Sequence, residues 1–348
     1  MYKKLVLFIL LFCLLLLTSC NVQKKYEVIY NDTEPELSKE AINENKKSKI
    51  YTIALVPKVE EIPYFVAVKE GAMEAGEDLK VKVIFKGPPS PDPKQQAEVI
   101  RELIDQHVDV IAVSANDPVE LGSVLQDAQE KGIKVLTWDS DTDPKLREFF
   151  INMIDPEIMG RHLMDLLAME MQEQGEYAIL TGSPNAANLN EWTAWLQLHQ
   201  REYYPKMKLV KIEYTNEDIH KAYNVTKKVL KNYPNLEGMI GLSTVTPPAI
   251  AQALKDLGNT ERIAFVGTST PNLMRDYLKE GSAQTITLWS PQKLGYLTVT
   301  MAKSLLDGEW PYHGQSIRKI GNIEYDGDMV IMGQPIDFTK ENVDQYDF

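Results

Sequence analysis

Val110-Ile111-Ala112-Val113-Ser114-Ala115-Asn116-Asp117-Pro118 and, one helical stretch later, Val135-Leu136-Thr137-Trp138-Asp139-Ser140-Asp141 decide the fold class. Each is a short, β-branched apolar run that stops at polar residues. The stretch between them, near 118–131, has helical spacing and stops at Gly132 after Lys131, as helix ends do. Strands buried on both faces read as continuous apolar runs, and parallel strands need a crossover helix to join them. Outward toward the N-terminus, 53–56 and 81–85 are two more such runs, with helical patterns near 65–79 and 94–106. The alternation predicts βαβ units and an α/β fold with a parallel sheet.

Outward toward the C-terminus the pattern starts again. Strands are expected at 177–180, 209–214, 239–242 and 263–266, and helices near 156–173, 189–203, 218–231, 248–257 and 271–280. Two such sets predict two lobes, each a parallel sheet flanked by helices. A further strand at 283–288 and a helix at 291–306 suggest that the chain crosses back to complete the first lobe. The Gly-containing, β-rich tail from Ile317 to Phe338 is expected to close the second. The expected lobes are therefore 50–152 plus 289–309, and 153–288 plus 310–348.

The N-terminus is an address. Lys3 and Lys4 precede an apolar run, 5–17, shorter than the ~20 residues a spanning helix needs, so 1–19 reads as a signal segment. It ends in Leu17-Thr18-Ser19-Cys20, which resembles the lipobox of bacterial lipoproteins and makes Cys20 the expected lipidation site and first mature residue. Only two cysteines are present, and Cys13 leaves with the leader, so neither a disulfide nor a thiol catalyst is expected. Residues 20–49 are rich in Glu, Lys and Asn with little to bury, and read as a flexible tether.

The chain carries 37 basic and 50 acidic side chains, a formal charge of −13, and loses two more positive charges with the leader. That balance argues against nucleic acid, whose affinity comes from neutralising phosphates. With 44% apolar and 25% charged residues the chain is globular and long enough for two cores.

In open parallel sheets ligands sit beyond the carboxyl ends of the strands. The loops there offer Lys58, Tyr64, Phe65, Asn116, Asp139, Asp141, Asn188, Asn190, Trp192 and Trp289. Carboxylates and amides pair with hydroxyls while aromatic rings cover apolar faces, which suits a neutral polyol such as a sugar. Each residue also has a plain structural role open to it. Asp117 before Pro118 reads as a cap, Asn188 and Asn190 as caps or ligands, and Tyr64, Phe65 and Trp192 as core or ligands. Catalysis is not expected: the five histidines form no metal-ligand spacing, and no nucleophile elbow, phosphate loop or dinucleotide fingerprint occurs. No metal and no cofactor is expected.

Pro63-Tyr64-Phe65, the 135–142 run, Val113-Ser114-Ala115-Asn116-Asp117-Pro118, Ser269-Thr270-Pro271-Asn272-Leu273-Met274-Arg275 and Phe338-Thr339-Lys340-Glu341-Asn342 together resemble the type I periplasmic binding proteins of ABC sugar importers. The likeness runs from Ile50 to the terminal Phe348 and is greatest for the branch holding the autoinducer-2-binding and rhamnose-binding proteins. It implies a two-lobed fold with the ligand cleft between lobes, and a non-enzymatic, monomeric, lipid-anchored receptor outside the cytoplasmic membrane that delivers a monosaccharide or autoinducer-2 to permease subunits. Carried over from the autoinducer-2 site, the family's lysine matches Lys58, its first aspartate Asp139 and its proline Pro248. Asn188 stands for the second aspartate, Leu189 for a glutamine and Ile250 for an alanine. Those changes, with Asn188-x-Asn190-x-Trp192, tilt the expectation to a rhamnose-like monosaccharide. A sensor feeding a membrane kinase would share the same pocket.

Overall fold

β1 (Thr52–Val56) illustrates how the first sheet is held. Ile53 and Leu55 enter one apolar cluster and Ala54 and Val56 another, and all four are fully buried. A period-2 strand that is apolar at every position must be covered on both faces. One cover is α1 (Pro63–Leu79), which contributes Phe65, Val68 and Ala72 to the first cluster. The other is α2 (Pro93–Asp105) with α3 (Gly122–Glu130), which contribute Ile100, Leu103, Val124 and Leu125 to the second.

The computed structural model describes residues 49–348, and the expected signal segment, Cys20 and nearly all of the expected tether lie outside the described residues. Within Ile50–Phe348, β2 (Lys82–Phe85), β3 (Val110–Val113), β4 (Lys134–Trp138) and β5 (Phe150–Ile154) join β1 in the first sheet. α4 (Pro156–Glu170) leads to β6 (Gly175–Thr181), α5 (Ala187–Tyr203), β7 (Met207–Tyr214), α6 (Ile219–Asn232), β8 (Leu236–Gly241), α7 (Thr246–Asp256), β9 (Ala264–Gly267) and α8 (Pro271–Lys279). The second sheet has the order β7-β6-β8-β9, all parallel. The molecule is thus a two-lobed α/β protein with parallel sheets flanked by helices.

The chain crosses between lobes three times. β5 passes to α4, β10 (Ile286–Leu288) passes to α9 (Pro291–Leu306), and the tail crosses last. Thr287 bridges Thr268 beside β9, so β10 ends the second lobe, whereas α9 packs along α1 in the first. The α1–α9 contact is backbone on backbone. A Cβ on Gly71 would lie 1.8 Å from the Gln292 carbonyl oxygen, and one on Gly295 would lie 2.0 Å from that of Val68.

The tail departs from expectation. Sequence reasoning assigns all of 310–348 to the second lobe, but β13 (Glu324–Asp326) and β14 (Met329–Gly333) extend the first sheet, after a short hairpin of β11 (Ser316–Ile317) and β12 (Gly321–Asn322). β14 runs parallel to β5, with Val330 opposite Ile151, and β13 pairs antiparallel to β14. Only β15 (Ile336–Phe338) lies beside β10. The physical reason is β5, a fully buried strand not anticipated from the sequence, whose outer edge needs a partner. Arg147 fastens this extension, with bonds of 2.7 Å to each Asp141 carboxylate oxygen and 2.7 Å to Asp328 in the β13–β14 turn. No helix among the described residues is long and apolar enough to cross a membrane.

Candidate functional site

The carboxyl ends of β1, β4, β6, β7 and β8 converge on a cleft between the lobes, which encloses about 410 Å³ of empty space, its open mouth included. Lys58, Ile62, Tyr64, Phe65 and Asp139 line it from the first lobe. From the second lobe and the crossover come Asn188, Leu189, Trp192, Glu217, Ser243, Thr244, Thr268, Leu288 and Trp289.

Asp139 anchors the first-lobe side. It is 4% exposed and accepts hydrogen bonds from the Ser114 hydroxyl at 2.6 Å and the Tyr64 hydroxyl at 3.0 Å, with the Lys58 ammonium 3.9 Å away. Its φ of 60° is left-handed, as are those of Glu217 (57°) and Ser243 (84°) on the opposite wall. Side chains avoid that region unless the surroundings impose it, and such residues concentrate at functional sites. Burial, then the adjacent Asp139 carboxylate, pushes the Tyr64 hydroxyl well above the usual phenol range, so it remains a donor.

Among the described residues two hydrogen bonds cross the cleft. Lys58 Nζ donates to Asn188 Oδ1 at 2.8 Å, and the Asn185 amide donates to Asp117 Oδ2 at 2.8 Å. The lobes are therefore closed on each other. The aromatic wall is continuous: Tyr64 meets Phe65 and Trp289 edge-on at centroid distances of 5.0 and 5.8 Å, and Trp192 meets Trp289 at 5.7 Å. Trp289 Nε1 donates to the Tyr64 hydroxyl at 3.2 Å.

Of the residues singled out from sequence, Lys58, Tyr64, Phe65, Asp139, Asn188, Trp192 and Trp289 are brought together here, and Asn116, Asn190, Pro248 and Asp141 are not. Asn116 is buried behind the wall, where its amide donates to the Lys58 carbonyl at 2.8 Å and its own N–H is taken by Gln96 Oε1 at 2.9 Å. It shapes the loop that carries Lys58. Asn190 points away and is exposed, its amide donating to the Pro184 carbonyl at 2.7 Å. The helical turn that directs Asn188 and Trp192 inward puts the residue two after Asn188 on another face. Pro248 is buried within α7 and does not line the cleft. Asn190→Ala is expected to leave ligand affinity unchanged. Calorimetry against whatever ligand copurifies checks this, and a clear loss would return Asn190 to the site.

Asp117 caps the turn before α3, accepting from the Val119 and Glu120 amides at 2.8 and 3.1 Å. Asp141 lies outside the cleft in the Arg147 pair.

Sequence reasoning missed Glu217. It follows β7, at the same carboxyl edge of its sheet as the loops after β6 and β8, where ligand-binding residues are expected. Burial pushes its carboxyl above the usual carboxylate range, against the Lys58 ammonium and a Ser243 hydrogen bond, which pull it down. Among the described residues no cluster of three His, Cys, Asp or Glu could hold a metal ion.

Residues 53–309 match the family model described as periplasmic binding protein domain, and the chain belongs to that family. It is 22% identical over 317 residues to the ribose import binding protein of Bacillus subtilis, covering 91% of this chain and 96% of that one. Among solved structures, a solute binding protein of an ABC transporter from Clostridium phytofermentas with bound L-rhamnose superposes with a TM-score of 0.81 at 27% identity, covering 85% of this chain and 98% of the other. A D-arabinose complex from Burkholderia graminis gives 0.75 at 30% identity, over 87% and 99%. LsrB from Clostridium saccharobutylicum in complex with AI-2 gives 0.80 at 24% identity over 85% and 100%, a likeness of fold.

Proposed function

We propose that this chain is a lipid-anchored, extracytoplasmic substrate-binding protein of an ABC importer, closing on one small neutral sugar of the rhamnose type and handing it to permease subunits. One observation carries the reading: a closed interlobe cleft in which Lys58, Asp139 and Asn188 provide hydroxyl-binding groups beside an aromatic wall of Tyr64, Phe65, Trp192 and Trp289. Hydroxyls take the polar groups, and the rings cover the apolar face of the sugar. A ligand touching both walls favours the closed state by its differential affinity, with the three crossovers as hinge. The rhamnose- and arabinose-bound relatives and the ribose import protein support the ligand class.

A deoxysugar is favoured over AI-2 because Leu189, which lines the cleft, stands where the autoinducer-2 site of the resembling branch has a glutamine and can neither donate nor accept a hydrogen bond. Mass spectrometry of the ligand released from purified protein, then calorimetric titration, tests this. L-rhamnose is expected to bind more tightly than AI-2, and the opposite order would overturn the preference.

Lipidation at Cys20 rests on the sequence, as that residue lies outside the described region. A fatty-acid probe is expected to label the wild-type chain and not Cys20→Ala, and equal labelling would remove the anchor from the proposal.

A further inference from the structure

On the second-lobe wall the Trp192 indole has hydrogen-bonding capacity that the cleft leaves open, and the Glu217 carboxyl, which Ser243 bonds, has further acceptor sites facing the same cleft. Trp192 is 2% exposed, and its indole N–H has no partner among the described residues, whereas the neighbouring Trp289 N–H is satisfied by Tyr64. An indole N–H can only donate, and leaving it unmade in a buried site costs stability. Glu217 is the second group. Its left-handed backbone is pinned to the end of β6, with Thr215 N bonded to the Thr181 carbonyl at 2.7 Å and Asn216 N to that of Gly182 at 3.1 Å. The carboxyl is laid over Gly182, where a Cβ would sit 2.2 Å from Glu217 Oε1 and 2.8 Å from Leu189 Cδ1. Any residue but glycine there would displace it, and the adjacent Leu189 can make no polar contact.

We propose that Glu217 and the Trp192 indole N–H are ligand-binding groups of the second lobe, acting together on hydroxyls of a neutral polyol, and that Glu217 with Asp139 excludes sugar acids. Among the charged residues lining the cleft, Lys58 stands alone against Asp139 and Glu217. A carboxylate on the ligand would therefore be buried among like charges, which is a strong way to reject a partner. The inference rests on the reading of the cleft as a sugar site.

The test is calorimetric titration of wild type, Trp192→Phe, Glu217→Leu and Glu217→Gln with a panel of neutral aldoses led by L-rhamnose, and with D-galacturonate. Ligand-free melting curves identify any variant that fails to fold. Trp192→Phe keeps a ring and drops the donor, and is expected to bind the preferred aldose roughly tenfold more weakly, with Glu217→Leu losing at least about as much. Glu217→Gln keeps the shape and is expected to retain the aldose while admitting D-galacturonate, which wild type rejects. Wild-type affinity in both Trp192→Phe and Glu217→Leu overturns this inference and leaves the sugar reading standing, as does galacturonate binding by wild type. Wild type binding no aldose of the panel overturns the sugar reading and this inference with it.

Discussion

Replacing Asp139 by asparagine is expected to weaken ligand binding ten- to a hundredfold, because a charge-assisted hydrogen bond in a closed cleft is worth about 1.5 to 3 kcal/mol. Asparagine is the informative choice. It tolerates the left-handed backbone at φ 60° and matches the aspartate in shape, so the loss would report charge and acceptor strength. Alanine would add a structural penalty, since the Ser114 and Tyr64 hydroxyls would both lose their acceptor. Asp141 serves as the control two residues away. Asp141→Ala removes two of the 2.7 Å bonds to the buried Arg147, so the ligand-free melting temperature should fall while affinity holds. Binding lost in Asp141→Ala and kept in Asp139→Asn would place the site on the other side of this loop.

The second large effect is on stability. Gly295→Ala is expected to destabilise the fold by about 1 to 3 kcal/mol or more, as overpacking does. The new Cβ would meet the Val68 carbonyl at 2.0 Å, and a helix backbone cannot rotate out of the way as a side chain can. The sign is what makes the test sharp, because Gly→Ala inside a helix otherwise stabilises by roughly 0.5 to 1 kcal/mol. Gly122, at the start of α3, has no atom nearer than 3.7 Å to its Cβ position, so Gly122→Ala should be neutral or mildly stabilising. Melting temperatures of the two variants decide it, and equal values would mean that α1 and α9 are not in backbone contact. As α1 begins at Pro63 and carries Tyr64 and Phe65, a shift of that contact would also move the aromatic wall of the cleft.

Much of the site was legible because topology converts strand ends into position. Once 53–56, 110–113 and 135–138 are read as parallel strands, Lys58 and Asp139 must lie at one edge of the sheet. Asn188 and Trp192 come from the loop after the strand expected at 177–180, and the structure sets them four apart on one face of α5. The same logic could not sort Asn116 from its neighbours. It occupies the right loop, but only three-dimensional packing shows its amide turned back to the Lys58 carbonyl. Asn190 is a related case, exposed outside the cleft, since residue type and loop membership do not state which way a side chain leaves the helix. Glu217 was legible by the same rule, as it follows the strand expected at 209–214, and what only the fold shows is that its carboxyl lies over the bare backbone of Gly182, thirty-five positions earlier in the chain.

The sequence by itself determined the alternation of strands and helices, the division into two lobes and the return of the chain through 291–306, because burial on both faces and turn chemistry are written locally. The tertiary structure alone decided where the tail goes. The strand at 329–333 is apolar enough for either sheet, and it joins the first because β5 leaves an edge there that must be paired. It also decided which polar residues share the cleft, since Lys58 and Asn188 lie 130 positions apart and meet only when the lobes close.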